Sequence, residues 1–254
     1  MKLRILGSGT SSGVPRIGPD WGACDPAEPR NRRTRASVLV EHEGTRILVD
    51  TSPDLREQLL VAGVSTLDAV IWTHDHADHC HGIDDLRQVF HALGRPVIGY
   101  ARPALFATLQ ARFGYVFAGR DGYPAVVEAR PLGSSLAIGE LVVRTVDQPH
   151  GHITSVGLRF EADGKSIGYA TDFHEVTPAM RALYAGLDVW VLDALRHAPH
   201  PTHPTVAAAL KWVAELKPRH AAFIHMDHSL DYRALAATLP AGVEPGYDGL
   251  ELRP

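Results

Sequence analysis

His74-Asp75-His76-Ala77-Asp78-His79 sets three imidazoles and the carboxylate of Asp78 within six residues. Nitrogen and oxygen donors packed this closely are what zinc and other divalent first-row cations accept. Matching donors recur downstream. His150, Asp172 and His225 each stand at or just beyond the end of an apolar, β-branched run. One such residue is ordinarily a hydrogen-bonded loop residue; three of them beside a histidine cluster point to a shared cation site. A carboxylate such as Asp172 can also bridge two cations, which a neutral imidazole does not ordinarily do. A metal site also accounts for the excess of histidine, 15 in 254 residues.

Rigid elements must aim these donors. β-Branched and apolar runs predict strands over 2–6, 37–41, 46–50, 69–73, 96–100, 126–129, 141–146, 155–160, 166–170, 188–193 and 220–224. Apolar residues at helical spacing predict helices over 53–61, 84–93, 103–112, 178–184, 206–216 and 232–239, with Thr205 able to cap the fifth. Glu43-Gly44 and Asp163-Gly164 read as hairpin turns. Residues 114–124 are the least regular stretch, a surface loop or a flap over a site. The mixture predicts one α/β domain over 1–254, with sheets covered by helices.

Composition narrows the partners. With 45% hydrophobic and 21% charged residues, a sizeable core is available. Twenty-five Lys and Arg against 29 Asp and Glu give −4, which argues against a general nucleic-acid binder but allows a local basic patch. No apolar run reaches the roughly 18 residues of a membrane span. Gly7 comes too early for a signal-peptide core. Two cysteines, Cys24 and Cys80, make no disulfide framework, so the cytoplasm is the expected address. Arg30, Arg32, Arg33 and Arg35 form the only dense basic cluster: a solvated loop, or a set of planar guanidinium groups for a substrate's second phosphate. The Gly-Ser-Gly-Thr-Ser-Ser-Gly run from Gly7 to Gly13 lacks the lysine of a triphosphate-binding loop, and its glycines suit close backbone approach near the cations.

The HxHxDH pattern of residues 74–79 resembles that of the metallo-β-lactamase superfamily, and the resemblance covers nearly the whole chain. It implies an αβ/βα sandwich, two mixed β-sheets flanked by helices, with a dinuclear site at one edge. Within that superfamily the chain is similar to the phosphoribosyl cyclic phosphodiesterases of phosphonate breakdown. The similarity is carried by Gly7-Ser8-Gly9-Thr10-Ser11-Ser12-Gly13-Val14-Pro15, by Gly82-Ile83-Asp84-Asp85-Leu86-Arg87 and by Tyr247-Asp248-Gly249-Leu250. It implies His74, His76 and His150 on one divalent ion, Asp78, His79 and His225 on the other, and Asp172 bridging. His152 competes with His150, which its pairing with Gly151 and its distance to Gly157 favour. Zinc and manganese both suit the donors.

The resemblance also places Asp50 behind the site, accepting an N–H from a ligand imidazole. It implies His203 as general acid for the leaving oxygen, with His200 able to substitute. Asp50, Asp78 and His203 thus form the expected catalytic set. One departure is visible. Similar proteins often carry a structural zinc on clustered cysteines after the Gly-rich start, with a histidine near the C-terminal ligand. Here Cys24 stands alone with His228, which does not make a closed four-ligand site. Residues 15–35 are therefore expected to be held by packing, polar contacts or a partner. Cys80, with no base at recognisable spacing, reads as a packing residue.

Two divalent ions sharing Asp172 would lower the pKa of a bridging water and clamp phosphoryl oxygens. The implied activity is hydrolysis of a small cyclic phosphodiester by bridging hydroxide, phosphoribosyl 1,2-cyclic phosphate opening to ribose 1,5-bisphosphate. Neither nucleic acid nor membrane is expected as a partner, and a homodimer is an expectation from the family alone. Two rivals remain: an RNA 3′-processing nuclease on the same fold, and a metal-bound ligand-binding protein without turnover. The acidic balance weighs against the first and the full donor set against the second.

Overall fold

A computed structural model describes residues 1–254. The chain starts with β1 (Lys2–Gly7), then the hairpin β2 (Ser37–His42) and β3 (Thr45–Val49). Next come α1 (Leu55–Ala62), β4 (Ala69–Ile71), α2 (Ala77–Cys80), α3 (Leu86–Leu93), β5 (Val97–Ala101), α4 (Pro103–Ala118) and β6 (Val127–Pro131). The second half holds β7 (Ser135–Ile138), β8 (Leu141–His150), β9 (Ile153–Ala162), β10 (Lys165–Ala170), α5 (Pro178–Tyr184) and β11 (Val189–Asp193). It closes with α6 (Val206–Leu216), β12 (His220–Ile224), α7 (Tyr232–Ala236), β13 (Val243–Pro245) and β14 (Glu251–Leu252).

These strands make two seven-stranded sheets, ordered β14-β1-β2-β3-β4-β5-β6 and β13-β12-β11-β10-β9-β8-β7. Both are mixed, with antiparallel hairpins at one side and parallel strands at the other. Period-two alternation decides which face each side chain covers. Val38 and Val40 of β2 join Phe160, Tyr169 and Val191 in the core between the sheets. Leu39, between them in sequence, faces outward with Leu48 and Trp72 under Leu55, Leu86 and Phe106 of the helical layer. Trp190 and Phe223 do the same for the second sheet, beneath Tyr184 and Trp212. Four layers result, helix–sheet–sheet–helix, as expected for the αβ/βα sandwich.

The topology gathers the chemistry on one edge. Parallel strands end on the same side, so Asp50 after β3 and His74 beyond β4 share an edge. In the other sheet Asp172 after β10, Asp193 ending β11 and His225 after β12 do likewise. β8 runs with β10 because both are antiparallel to β9, and it therefore delivers His150 to that edge as well.

Some boundaries differ from the sequence reading. β8 runs on from Val146 to His150, where it pairs with Ile153, so His150 belongs to the strand itself. α4 continues through Gly114 to Ala118, taking the first part of the supposed irregular stretch 114–124. It bends at Phe113 (φ −128°, ψ 38°) and stops at Gly119, whose φ of 70° leaves the helical range. β7, β13 and β14 were not anticipated; they are short strands, all three at sheet edges beyond the clear apolar runs. Both expected hairpin turns form, with Glu43, Gly44, Asp163 and Gly164 all at positive φ, and Thr205 caps α6 by accepting from Ala208 N. No helix is long and apolar enough to cross a membrane.

Candidate metal centre

Asp50 organises the first donor group from behind. It leaves β3 in the left-handed region (φ 63°) and is wholly buried. Its carboxylate accepts from Thr73 N at 2.7 Å and Thr73 Oγ1 at 2.8 Å, pinning the turn that bears His74. It also lies 2.7 Å from His79 Nδ1. An ionised carboxylate can only accept, so His79 donates at Nδ1 and turns its Nε2 toward the cluster. Burial pushes the Asp50 carboxyl up, and the charge and hydrogen bond of His79 work against that. α2 is one turn long and carries Asp78 and His79 on the buried side.

The second sheet supplies the facing donors. Asp172 and His225 follow their strands at φ 53° and 57°, the left-handed region that β-carbon sterics disfavour. Such residues cost about 1–3 kcal/mol each and persist where surrounding bonds over-determine them. For Asp172 those bonds are visible: Ser155 Oγ donates to Asp172 O at 2.7 Å, and Gln148 Nε2 donates to Thr171 O at 3.0 Å. Tyr184 OH holds Gln148 Oε1 at 2.9 Å. This arrangement requires Gly157, where a Cβ would sit 2.0 Å from Tyr184 OH. His225 is followed by Met226, whose N–H donates to Ser8 O and whose carbonyl accepts from Thr10 N, so the Gly-rich segment clamps the chain directly after the donor.

Two groups of donor atoms converge. His74, His76, His150 and Asp172 form one, Asp78, His79 and His225 the other, each with ligand atoms within 4.8 Å of one another. Asp172 reaches both. Its Oδ1 is 3.7 Å from His74 Nε2, 3.6 Å from His150 Nε2 and 3.5 Å from His225 Nε2, and its Oδ2 is 3.1 Å from His79 Nε2. Donors about 2.1 Å from a tetrahedral zinc would stand about 3.4 Å apart, which matches these separations. Buried His74 Nε2 and His79 Nε2 have no hydrogen-bond partner although carboxylate oxygens lie nearby. Lone pairs left unpaired in a donor cage fit cations, and the seven residues could hold divalent ions with Asp172 between them.

Electrostatics agree with that fit. Burial disfavours the charged form of His225, yet Asp172, Asp78 and Asp193 outweigh it and raise it to about 9. His79 is likewise raised, by Asp172, Asp78 and Asp50 against burial. Burial and neighbouring imidazoles take His150 down to about 4. The second donor group, surrounded by the carboxylates of Asp78, Asp172, Asp50 and Asp193, thus attracts positive charge.

His203 stands over the cluster. Its ring stacks on His225 with centroids 4.7 Å apart and an 11° angle, and its Nε2 is 3.9 Å from Asp172 Oδ1. Its Nδ1 is 2.7 Å from Oδ2 of Asp193, the wholly buried last residue of β11. Asp193 was missed in the sequence, although it ends a strand as Asp50 and Asp172 nearly do. His200 lies further out, its ring 5.0 Å from that of His203 and its Nδ1 occupied by Thr202 N. His152 is not among the converging donors; it lines an adjoining cleft of about 590 Å³ together with His74, Asp75, Thr108 and Thr154.

The basic cluster needs correcting. Arg33 is buried and donates to Asp227 O at 3.0 Å and Leu230 O at 2.6 Å, holding the segment after His225. Arg35 pairs with Asp54 at 2.8 Å. Neither is free for a phosphate, because each already ties residues 15–35 to the rest of the chain. Asn31 Nδ2 adds a bond to Asp231 Oδ2 at 2.6 Å, and Cys24 Sγ lies between the carbonyls of His228 and Leu230. Cys80 packs in the core beneath the helices, and burial pushes its thiol up to about 11.

Comparison with known proteins places this geometry. A family model described as a beta-lactamase superfamily domain matches residues 45–226. The crystal structure of a protein described as a new diphosphatase from the PhnP family superposes with a TM-score of 0.90 at 38% identity, over 99% of this chain and 96% of that one. Zinc-bound PqqB from Methylobacterium extorquens shares the fold, with a TM-score of 0.81 at 22% identity over the full length of both chains. An octanoyltransferase of Porphyromonas gingivalis (strain ATCC BAA-308 / W83) is 31% identical over 99% of this chain, which spans about half, 51%, of that relative's length.

Proposed function

The chain belongs to the beta-lactamase superfamily and is a metal-dependent hydrolase, and from that premise we propose that it cleaves small phosphodiesters on two divalent cations, zinc or manganese. The carrying observation is the Asp172 carboxylate, within 3.1–3.7 Å of donors from both groups, beneath the His203–Asp193 pair. The proposed substrate is phosphoribosyl 1,2-cyclic phosphate, opened to ribose 1,5-bisphosphate.

His74, His76 and His150 would hold one cation, Asp78, His79 and His225 the other, and Asp172 both. Bound there, the cations would supply an activated water at neutral pH and neutralise charge on the phosphoryl oxygens. His203 would carry a proton at Nε2 for the leaving oxygen, with Asp193 fixing its tautomer through Nδ1. Asp50 keeps His79 in its donor orientation.

A second reading is favoured by the structural likeness to a diphosphatase: hydrolysis of a diphosphate bond, which offers the same oxygens to clamp. Comparison of kcat/KM for phosphoribosyl 1,2-cyclic phosphate and for a nucleoside diphosphate by the metal-loaded protein separates the two. A clear preference for the cyclic ester is expected. Preference for the diphosphate would replace the proposed substrate, and activity on neither would overturn both.

A further inference from the structure

Arg30 and Arg32 are the exposed arginines of the basic run, and Arg30 is the one whose guanidinium rests on aromatic rings. It is exposed, and its only hydrogen bond comes from its backbone N–H, to Glu28 Oε1. Its guanidinium carbon lies 4.8 Å from the ring centre of Tyr232 and 5.1 Å from that of Tyr247. The two rings meet edge to face, 5.8 Å apart. Stacking on aromatic faces fixes the plane of a guanidinium while leaving its N–H edge open. Nearby carboxylates are engaged elsewhere: Glu28 takes Arg233 Nε at 2.5 Å, and Asp231 takes Asn31 and the N–H of Ala234. The Arg30 guanidinium is therefore an oriented cation with no carboxylate of its own chain in ion-pair contact, Glu28 lying near but bonded to Arg233.

Its position connects it with the metal edge. Tyr247 follows β13, which lies parallel beside β12, the strand that leads into His225. Gly246 N donates to Phe223 O at 2.7 Å, locking this segment to the end of β12. Asp248, the next residue, accepts from Ser8 N and Oγ at 2.8 Å, and Ser8 O accepts from the N–H of Met226. The tyrosine shelf thus flanks the donor edge on the β13 side.

We propose that Arg30, shelved on Tyr232 and Tyr247, is the subsite for a phosphate monoester remote from the bond that is cleaved. The proposal rests on the phosphodiesterase reading and names the second anionic group of that substrate. A planar fork presents two parallel N–H donors to phosphate oxygens, a match that a lysine ammonium does not provide.

The test has a binding arm and a kinetic arm. Ribose 5-phosphate and ribose are titrated calorimetrically into wild type, Arg30→Ala and Arg30→Lys, each metal-free and metal-loaded. Wild type should bind the phosphorylated sugar in preference to ribose, Arg30→Ala should weaken that binding by roughly 10- to 100-fold, and Arg30→Lys should fall between. In kinetics, Arg30→Ala should raise KM for the 5-phosphorylated cyclic substrate relative to its dephosphorylated analogue by a similar factor, with kcat much less affected. Equal binding of ribose 5-phosphate by wild type and Arg30→Ala, or its absence from wild type, overturns the subsite. Arg30-dependent binding without turnover of either cyclic ester supports the subsite and removes the phosphodiesterase reading. Normal turnover with an unchanged KM ratio removes the subsite alone.

Discussion

His203 Nδ1 lies 2.7 Å from Asp193 Oδ2 while its Nε2 faces the donor cluster, 3.9 Å from Asp172 Oδ1. The two nitrogens are thereby given different tasks, one bound to a buried carboxylate and the other left for a reacting oxygen. Asp193→Asn keeps the shape but replaces an acceptor-only group by one that can present its amide N–H₂. We predict a loss of roughly 100-fold in kcat, with little change in metal content. The loss should be larger for an alkoxide leaving group than for p-nitrophenolate, which needs no proton. Equal losses on both would show that the pair does not deliver the proton.

Asp50 acts through His79 and through the turn at Thr73. Asp50→Ala should weaken metal binding by roughly 10- to 100-fold, in line with other partners behind metal-bound histidines. Competition with a chromophoric chelator reads this directly. Undiminished affinity would confine Asp50 to a structural role.

Asp172 is the carboxylate that both donor groups approach. Asp172→Ala should lower metal content by at least one equivalent, measured by elemental analysis, and abolish nearly all turnover. A fully active Asp172→Ala would refute the site assignment.

The charge on His225 gives a pH signature. In the metal-free fold it is raised to about 9 by Asp172, Asp78 and Asp193, against burial. A histidine raised on folding contributes stability that is fully present below its unfolded value, about 6.5, and is lost as pH climbs through about 9. The metal-free protein should therefore lose thermal stability from pH 6.5 to 9. Metal binding requires the neutral imidazole, so uptake at pH 7 should release protons and tighten as pH rises. Calorimetry in buffers of differing ionisation enthalpy measures that release; proton-neutral uptake would contradict it.

Much of the site was legible because its donors are marked twice, by residue type and by their place at strand ends. The HxHxDH run needs no tertiary knowledge, and His150, Asp172 and His225 follow runs that read plainly as strands. Asp193 ends such a run too, but one aspartate acquires meaning only when the loop after β11 brings His203 back onto it. Gln148, Ser155 and Tyr184 are similarly silent, since they act on the backbone of Thr171 and Asp172 from other strands and a helix. Arg33 was misread with its neighbours because its burial depends on carbonyls about 200 positions away. The helix through Gly114 was hidden by a residue that ordinarily disfavours helix, where packing of Phe106, Leu109 and Val116 decides instead.

A phosphodiesterase whose two donor groups share Asp172 should turn over only with both cations in place. The most direct test is hydrolysis of bis(p-nitrophenyl) phosphate by protein stripped of metal and titrated with manganese or zinc. No nitrophenolate should be released without metal, and the rate should climb to a plateau near two equivalents. A protein carrying two bound ions that releases none, and leaves phosphoribosyl 1,2-cyclic phosphate intact as well, would contradict the phosphodiesterase reading.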